Sequence, residues 1–557
     1  MHKENSHMKP ISAVGSNGTA TIVEKYNSRK MLLVVLPYFV GETTALDAKT
    51  RSYLAFPYGA ISIATYVKKY SKSKSKVIVL DLNIPTIKDP FKEFENTIKQ
   101  NNFDVIGFSF MFDTSLKWLF DLSKISKEIR PDVPTLVGGA SATLSYEELL
   151  NEVPDVDYVC YSEGEQGICD LLDSNNFNEK FSGNPWFSRK NNGVKPLARL
   201  VGHLDEVIDL DYDVVDISTY SMKESFSPYC SYREKKDVVQ FFLVTSRGCP
   251  FKCTFCSEPA LHGADMRYAS VDKIIEHVSL LCEKYNANVL TFYDDQLLLN
   301  VPRAKELFRR LIPFNLRLEA PNGVTAVFID DEMAMLMRQA GFDGISLAIE
   351  SGSDYVLRNI IDKPLRIPKL KKVVKSLRKA DIFIQAFFVI GMPGEEEEHR
   401  QETYDLIEEL DFDWASFSIA SPVRGSQLYE QAKQNGWLQD NFGVGKLLHN
   451  SYQMNIPGVD PQVIVDAAYG MNLKRNFVNN RALRMGDYKT ARRLFLEVTE
   501  RTANHAFGYW YLFIANEKLG NIDEADKARI RAEELINNEP KWAYWAKECR
   551  IMDKVLV

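Results

Sequence analysis

The sequence predicts an α/β protein with three parts: an N-terminal doubly wound parallel sheet, a central partial (β/α)6 barrel and a C-terminal α-helical cap. Short apolar runs alternate with longer amphipathic segments between residues 30 and about 173, and again between residues 238 and 420. Strands that are apolar throughout are buried on both faces, which is typical of parallel sheets covered by helices. Beyond about residue 445 the pattern is helical, and this predicts the cap.

Length and charge narrow the class of protein. The 557 residues suffice for three or four domains. The chain has 68 Lys and Arg against 75 Asp and Glu, a net charge of −7, so the overall basic character of nucleic-acid-binding proteins is absent. The longest apolar run, residues 31–40, is shorter than the roughly 18 residues that span a bilayer. Residues 1–29 are polar and lack a signal-peptide core, so we expect a disordered tail and a cytoplasmic protein with no membrane span.

The first segment contains five expected strand–helix units. The strands are residues 31–36, 76–81, 104–110, 134–139 and 157–160, and the helices are 58–70, 91–100, 114–130, 144–151 and a short helix after Gly164. Ligands of such sheets bind beyond the carboxyl ends of the strands. Those ends carry Pro37 and Tyr38, Ser109, Gly138 and Gly139, and the turn Ser162-Glu163-Gly164-Glu165.

The type of ligand is less clear from these strand ends. Paired glycines let a ligand approach the backbone closely, although Gly138-Gly139 also suits a tight turn without a ligand. No GxGxxG follows the first strand, so the sequence gives little support for a dinucleotide-binding site. No GxxxxGK[ST] occurs in the chain, which excludes a P-loop.

Six further strand–helix units predict the barrel. Their strands are residues 238–246, 288–294, 316–320, 344–350, 384–391 and 414–420, with helices that include 301–311, 331–340 and 396–410. The chemistry of such barrels lies at the C-terminal strand ends. All six ends are polar or glycine-rich: Arg247-Gly248-Cys249, Asp294-Asp295-Gln296, Glu319 with Asn322, Glu350-Ser351-Gly352, Gly391-Met392-Pro393-Gly394-Glu395, and Ser421-Pro422.

Three of the eight cysteines lie within eight residues, in the loop after the first barrel strand, as Cys249-x3-Cys253-x2-Cys256. Three thiolates on one short loop can bind one inorganic centre. Structural zinc normally takes four protein ligands, and Glu258 and His262, which follow, fit no common zinc spacing. A 4Fe-4S cluster normally takes four thiolates, so three would leave one iron open for a substrate or cofactor.

The cysteines also allow interpretations without a metal. Three thiols that pack without metal are the alternative to a metal centre at the loop. The remaining cysteines are too few for a disulfide framework and are expected to be packing residues: Cys160, Cys169, Cys230, Cys282 and Cys549.

The cysteine loop, with Phe255 before its last cysteine, resembles the signature of the radical S-adenosylmethionine enzymes. The preceding segment resembles the flavodoxin-like cobalamin-binding domain of their cobalamin-dependent class, so the resemblance covers roughly residues 30–440. Other matching segments follow in the expected order: Gly138-Gly139, Asp157-Tyr158-Val159 with Glu163-Gly164-Glu165, Tyr293-Asp294-Asp295, Glu350-Ser351-Gly352-Ser353, and Ile390-Gly391-Met392-Pro393-Gly394-Glu395. This resemblance implies a TIM-type barrel for the central segment.

Two departures from the family pattern are present. Ala269 replaces the second arginine of an RxRS-like stretch at Arg267-Tyr268-Ala269-Ser270. No DxHxxG occurs, so the lower axial ligand of the cobalt is undefined, and Tyr38 or its neighbours are the candidates.

The resemblance implies three cofactors: a 4Fe-4S cluster, S-adenosylmethionine and cobalamin. The expected reaction is methyl transfer to an unactivated carbon through a 5′-deoxyadenosyl radical and methylcobalamin. Cys249, Cys253 and Cys256 would bind the cluster, and the catalytic candidates are Asp294, Asp295 and Glu350. The cofactor-binding candidates are Phe255, Ser351, Gly391, Pro393, Glu395, Ser109, Gly138, Gly139, Glu163, Gly164 and Glu165.

The implied partners are a small-molecule or peptide substrate and an electron donor such as flavodoxin or ferredoxin. A radical cyclisation, oxidation or rearrangement without methyl transfer is an alternative reaction. A methylthiotransferase is a less well supported alternative, because the first segment has only Cys160 and Cys169 where that class has three cluster cysteines. A non-catalytic cobalamin-binding or scaffold protein is a further alternative.

The C-terminal segment contains a repeat. Residues 486–491 (GDYKTA) recur as 520–525 (GNIDEA), an offset of 34 residues, which is the period of tetratricopeptide repeats. The repeats predict either a surface for a partner or a cap whose core contains Trp510, Tyr511 and Phe513. The expected organisation is a tail (1–29), a cobalamin-binding-like domain (30–200), a linker (201–236), the barrel (237–445) and the helical domain (446–557).

Overall fold

The structure is a computed structural model that describes residues 27–38, 56–84, 86–174, 184–190, 194–220, 238–440, 442–447 and 451–551. Residues 1–26 of the expected tail, residues 221–236 of the expected linker and Cys230 lie outside the described residues. No helix in the described ranges combines the length and apolar character needed to cross a membrane.

The first part is a six-stranded sheet in the order β2-β1-β3-β4-β5-β6. Its strands are β1 (Lys30–Val35), β2 (Lys76–Asp81), β3 (Val105–Ser109), β4 (Thr135–Gly138), β5 (Tyr158–Cys160) and β6 (Trp186–Ser188). Strands β1 to β5 are parallel and β6 is antiparallel to β5. The prediction of a parallel doubly wound sheet is confirmed, whereas β6, with three residues too short to show a period, was not predicted.

Helices cover both faces of this sheet: α1 (Tyr58–Tyr70), α2 (Pro90–Gln100), α3 (Leu116–Ile129), α4 (Ala140–Leu144), α5 (Tyr146–Glu152) and α6 (Glu165–Leu172). Alternate residues of β1 enter two different cores, with Leu33 packed on the side of α1 and α6 and Leu32 on the side of α2 and α3. This explains why the strand is apolar at every position. The single helix expected at 144–151 is in fact two, because the backbone leaves helical geometry at Ser145.

The middle part contains two three-stranded parallel sheets, β11-β10-β7 and β12-β13-β14, and a two-stranded ribbon, β8-β9. The strands are β7 (Gln240–Leu243), β8 (Ser246–Arg247), β9 (Arg267–Tyr268), β10 (Val289–Phe292), β11 (Arg317–Glu319), β12 (Gly344–Glu350), β13 (Phe383–Ile390) and β14 (Trp414–Ile419). Isolated parallel bridges, Leu318 to Phe342 and Val324 to Leu347, lie between β11 and β12. The strand expected at 238–246 is broken, because β8 leaves the sheet to pair with β9.

The helices of the middle part alternate with its strands: α7 (Glu258–His262), α8 (Val271–Tyr285), α9 (Val301–Leu311), α10 (Asp331–Ala340), α11 (Ile367–Lys379), α12 (Glu397–Leu410) and α13 (Gln427–Gln434). Because each parallel strand returns through a helix, the carboxyl ends of the strands lie at one end of each sheet.

The C-terminal part is helical: α14 (Pro461–Leu473), α15 (Arg481–Arg484), α16 (Tyr488–Arg501), α17 (Ala506–Leu519), α18 (Ile522–Asn538) and α19 (Pro540–Glu548). Each copy of the repeat starts two residues before a helix and continues into its first turn: residues 486–491 lead into α16 and residues 520–525 into α18. Trp510 and Tyr511 are buried in the core of these helices. The side chain of Asn476 bonds to the backbone of Ala415 in β14, which joins these helices to the sheet.

Candidate active site

The cysteine loop is held at several points. The Thr254 backbone N–H and hydroxyl donate to the carbonyls of Ile361 (2.9 Å) and Ile360 (2.8 Å), in the segment after β12. The Leu428 N–H donates to the Thr254 carbonyl at 2.8 Å, which ties the loop to α13. These bonds fix the loop against two later strand–helix units.

All three sulfur-bearing side chains, Cys249, Cys253 and Cys256, line one cavity of about 470 Å³, and all three thiols are free. Two Zn–S bonds of about 2.3 Å at the tetrahedral angle would bring two sulfurs to roughly 3.8 Å. Among the described residues, the group of three possible metal ligands whose atoms lie within 4.8 Å of one another is Glu258, His262 and Asp295, and not the three cysteines. The three sulfurs are therefore not all within 4.8 Å of one another, as three ligands of a single tetrahedral zinc ion would be. Phe255 lines the same cavity.

Burial raises the pKa of all three thiols, that of Cys256 to about 12. Cationic iron would offset the cost of forming thiolates in this environment. The donor set and the cavity therefore fit an iron–sulfur cluster with three protein ligands.

Asp294 and Asp295 are neighbours with different surroundings. Asp294 is 4% exposed and accepts hydrogen bonds from the hydroxyls of Thr245 and Ser246, both at 2.6 Å. Asp295 accepts from the Gly248 N–H at 2.9 Å and lines the cysteine cavity. Of these two predicted catalytic residues, only Asp295 therefore lines a cavity described here.

Glu350 ends β12 in an unusual conformation. Its φ is +74°, in the left-handed region that non-glycine residues seldom adopt, and the register of β12 shifts between Ala348 and Glu350. Its carboxylate lies 3.2 Å from the Lys363 ammonium, and both side chains are about 10% exposed. Both residues line the cysteine cavity. The strained backbone directs this ion pair towards the cysteines.

The other candidates from the barrel segment lie outside that cavity. Ser351 is buried and its hydroxyl lies 3.2 Å from that of Thr403 on α12. The Gly391 N–H donates to Glu395 at 2.6 Å, and a Cβ on Gly391 would lie 2.4 Å from Ile464 of α14. Pro393 also lines neither of the two cavities described here. These residues shape the loops after β12 and β13.

A second cavity, of about 260 Å³, lies at the carboxyl edge of the first sheet. It is lined by all six residues predicted there: Ser109, Gly138, Gly139, Glu163, Gly164 and Glu165. Gly139 has a φ of +108°, and a Cβ at this position would lie 2.7 Å from the Phe110 carbonyl. The glycine pair thus keeps the backbone open to the cavity, which suits part of a group as large as cobalamin.

Tyr38 does not line that cavity. Its ring packs edge-on against Phe112 at 5.1 Å, and its N–H donates to Asn83 at 3.0 Å. Its neighbours 39 and 40 lie outside the described residues.

The two glutamates of the sheet-edge turn are bound by arginines of the middle segment. Arg247 lies 2.8 Å from Glu165 and 3.3 Å from Glu163, and Arg267 lies 2.7 Å from Glu163. Burial raises the pKa of Glu163, but Arg247, His262 and Arg267 overcome this and hold that pKa well below its usual range. The turn therefore fastens the first sheet to the middle segment and also lines the cavity.

Asp295 lines both cavities. Its carboxylate, that of Glu258 and the ring of His262 are the trio whose ligand atoms lie within 4.8 Å of one another. Burial, and then the neighbouring carboxylate, raises the pKa of Asp295. The two cavities therefore share a wall at this polar cluster of the middle segment.

The contacts of several residues in the site were not predicted from the sequence. Lys363 follows the β12 motif without a recognisable spacing, and Gln296, whose amide lies 3.4 Å from the Cys249 sulfur, was noted only as part of a strand end. Arg247 and His262 were noted without a role. Their partners are distant in sequence, so only the tertiary fold reveals them.

Two segments of the chain match known protein families. The model of the radical SAM superfamily matches residues 243–407, and the model of the B12 binding domain matches residues 46–172. A cytidylyl-2-hydroxyethylphosphonate methyltransferase of Streptomyces wedmorensis is 28% identical over 411 residues, which are 68% of this chain and 76% of that protein. An uncharacterized methyltransferase of Pyrococcus horikoshii is 30% identical over 356 residues, 62% of this chain and 73% of that protein.

A solved structure shares the fold. The cobalamin-dependent S-adenosylmethionine radical enzyme OxsB, with aqua-cobalamin and S-adenosylmethionine bound, aligns with a TM-score of 0.63 at 13% identity, over 95% of this chain and 80% of that one. The segment matched by the first family contains the cysteine loop, and the segment matched by the second contains all six residues that were predicted at the sheet edge. The chain therefore belongs to the radical S-adenosylmethionine superfamily, as a member that carries a B12 binding domain ahead of its radical domain.

Proposed function

We propose that this protein is a cobalamin-dependent radical S-adenosylmethionine methyltransferase that methylates an unactivated carbon. The observation that carries the proposal is that Asp295 lines both the cysteine cavity and the sheet-edge cavity. A substrate at this junction would be within reach of groups bound on either side. The printed names of the two relatives, both methyltransferases, support methyl transfer as the reaction.

The residues divide the work between the two cavities. Cys249, Cys253 and Cys256 would bind the cluster, and the glycine pair with Ser109 would contact cobalamin. When bound, the cluster with S-adenosylmethionine supplies radical chemistry and cobalamin supplies the methyl group. Asp295 would orient a polar group at the junction.

Glu350 and Lys363 would fix the far wall of the cysteine cavity. Their ion pair, at 3.2 Å, is about 10% exposed on each side. In such a site charges act strongly and water is largely excluded. Ser351, Gly391, Pro393 and Glu395 would support this wall by shaping the loops after β12 and β13, and Asp294 would support the loop before the cysteines.

We also propose that the two parallel sheets of the middle part form one partial (β/α)6 barrel. The parallel bridges between β11 and β12 support a single six-stranded order. The C-terminal helices would form a tetratricopeptide-like cap on its last strand, and the bonds between Asn476 and Ala415 support this docking.

The test uses the anaerobically reconstituted protein, a chemical reductant such as dithionite, and S-adenosylmethionine with a trideuterated methyl group. We expect 5′-deoxyadenosine, and transfer of the label to bound cobalamin detected by mass spectrometry. A methylated product would carry the label, whereas a cyclised or oxidised product would not. Absence of both 5′-deoxyadenosine and labelled cobalamin would contradict the proposal and favour a non-catalytic protein.

Two variants provide the controls. Cys253→Ala should lose iron, sulfide and the visible absorbance of the cluster, and with them the formation of 5′-deoxyadenosine. Cys282→Ala removes a half-buried thiol of α8 and should leave all four readouts unchanged. Equal behaviour of the two variants would contradict the assignment of the loop.

A further inference from the structure

The segment from Lys363 to Lys379, which includes helix α11, is strongly basic in an acidic chain. It contains eight Lys and Arg and no Asp or Glu, whereas the whole chain has a net charge of −7. Leu365 lines the cysteine cavity and directly precedes Arg366, the N-cap residue of α11. The excess charge therefore begins at the rim of that cavity.

Half of these cations have acidic partners. Lys363 pairs with Glu350, Lys371 with Glu409, Arg378 with Asp413 and Lys379 with Asp331. The other four form what we call the basic face: Arg366, Lys369, Lys372 and Lys375. All four are exposed, and within the described ranges none of them forms a salt bridge, although Lys375 helps to lower the pKa of Asp331.

The stability of the helix does not explain the basic face. Cations are favourable near the C-terminus of a helix and unfavourable near its N-terminus. Arg366 is at the N-cap and Lys369 lies in the first turn, and that turn contains no acidic residue. The helix dipole therefore does not account for Arg366 and Lys369, the two cations of the basic face that lie nearest the cysteine cavity.

Two kinds of partner suit the basic face less well. A membrane-binding helix needs an apolar face to insert, but the apolar residues of α11, among them Leu370, Val373 and Leu377, are buried in the core. Binding of single-stranded nucleic acid normally uses aromatic side chains for stacking, and the segment from Lys363 to Lys379 has none.

We infer that the basic face is the docking surface for a small, acidic, low-potential electron-carrier protein that reduces the cluster. This inference rests on the proposed function, because the cluster needs one electron from outside the chain. In that step the carrier loses one electron and the cluster gains one, with no bond made or broken. The face begins next to Leu365, at the rim of the cysteine cavity, and extends for about 14 Å along the helix. A carrier docked at the Arg366 end is therefore next to residues that line this cavity.

The test compares two triple charge reversals in the full-length, cluster-loaded protein. One is K369E/K372E/K375E in the basic face. The other is K489E/K518E/K527E, which reverses three exposed lysines of the C-terminal helices that also form no salt bridge within the described residues. Both variants change the net charge equally. The probe is flavodoxin, and the readouts are its affinity in the oxidised form, by calorimetry, and the rate at which its reduced form bleaches the cluster absorbance.

For the wild type we expect a reduction rate constant that falls as salt rises from about 50 to 300 mM. Reversal of the basic face should weaken binding and slow reduction by at least about tenfold. The control should stay within about twofold. Photoreduced deazaflavin, an uncharged small reductant, should reduce all three proteins at the same rate.

Two outcomes would overturn the inference. One is equal loss in both triple variants, which would indicate an effect of net charge. The other is unchanged flavodoxin affinity and reduction rate in K369E/K372E/K375E. Loss of binding to phosphatidylserine vesicles or to an RNA oligonucleotide in that variant would then identify a different partner for the basic face. If deazaflavin reduces the cluster but yields no 5′-deoxyadenosine in any variant, the proposed function fails while the docking result still stands.

Discussion

Arg247 and Glu165 form a 2.8 Å ion pair between the middle segment and the first sheet, and each side chain is no more than 7% exposed. Arg247 also lies 3.3 Å from Glu163. Removing one partner of a buried pair leaves a carboxylate in a medium of low dielectric, which is costly. The contact between the first sheet and the middle segment thus depends on a small number of buried charges.

We expect Arg247→Met to lower the free energy of unfolding by about 3–5 kcal/mol, measured as a shift of the first transition in urea. The control is Arg199→Met, because Arg199 and Asp170 form a pair of 3.1 Å in which both side chains are more than half exposed. That change should cost less than about 1 kcal/mol. Similar losses in the two variants would contradict a stabilising role for the buried pair.

Asp294 and Asp295 should respond differently to the same substitution. Asp294→Asn disturbs three hydrogen bonds from Thr245 and Ser246 and should lower stability by about 1–3 kcal/mol. Asp295→Asn should leave the melting temperature nearly unchanged and lower the rate of 5′-deoxyadenosine formation at least about tenfold. Thermal melting and product analysis of both variants separate the roles, and a stable but inactive Asp294→Asn protein would reverse them.

This pair of aspartates shows what the sequence can and cannot predict. The carboxyl end of β10 was predicted to within two residues, because a continuous apolar run locates a buried parallel strand. Successive residues of an extended chain point to opposite sides, so the motif alone could not tell which aspartate reaches a cavity. The pairing of Glu350 with Lys363 was likewise not predicted, since it depends on the path of the loop after β12.

The glycine pair gives a third test. In Gly138→Ala the new Cβ would lie 3.6 Å from that of Cys160, an ordinary contact, so we expect wild-type stability and several-fold lower cobalamin occupancy. In Gly139→Ala the Cβ would lie 2.7 Å from the Phe110 carbonyl at a φ of +108°. That variant should lose about 1–3 kcal/mol of stability. Full cobalamin occupancy in Gly138→Ala would show that the ligand does not approach this backbone.

Glu395 should make stability depend on pH. Burial raises its pKa from 4.5 to about 7, and its Oε1 is buried with no partner among the described residues. The folded state therefore holds this proton more tightly than the unfolded chain. Its contribution to stability is present below pH 4.5 and is lost as the pH rises to about 7, by at most about 3 kcal/mol.

Glu395→Gln removes this titration, so its unfolding free energy should change less between pH 5 and 8 than that of the wild type. Glu398→Gln, which alters a largely exposed carboxylate on α12, should keep the wild-type profile. Denaturant titrations at several pH values make the comparison. Parallel profiles for the wild type and Glu395→Gln would exclude this carboxyl as the source.

The buried charges between the two domains restrict how this enzyme can be recombined. Glu163 and Glu165 belong to one domain, while Arg247 and Arg267 belong to the other. A chimera that grafts the first domain onto a foreign barrel would inherit the carboxylates without their cations. Exchange of modules, in the laboratory or during evolution, therefore requires that these four side chains move together or be replaced together by apolar residues.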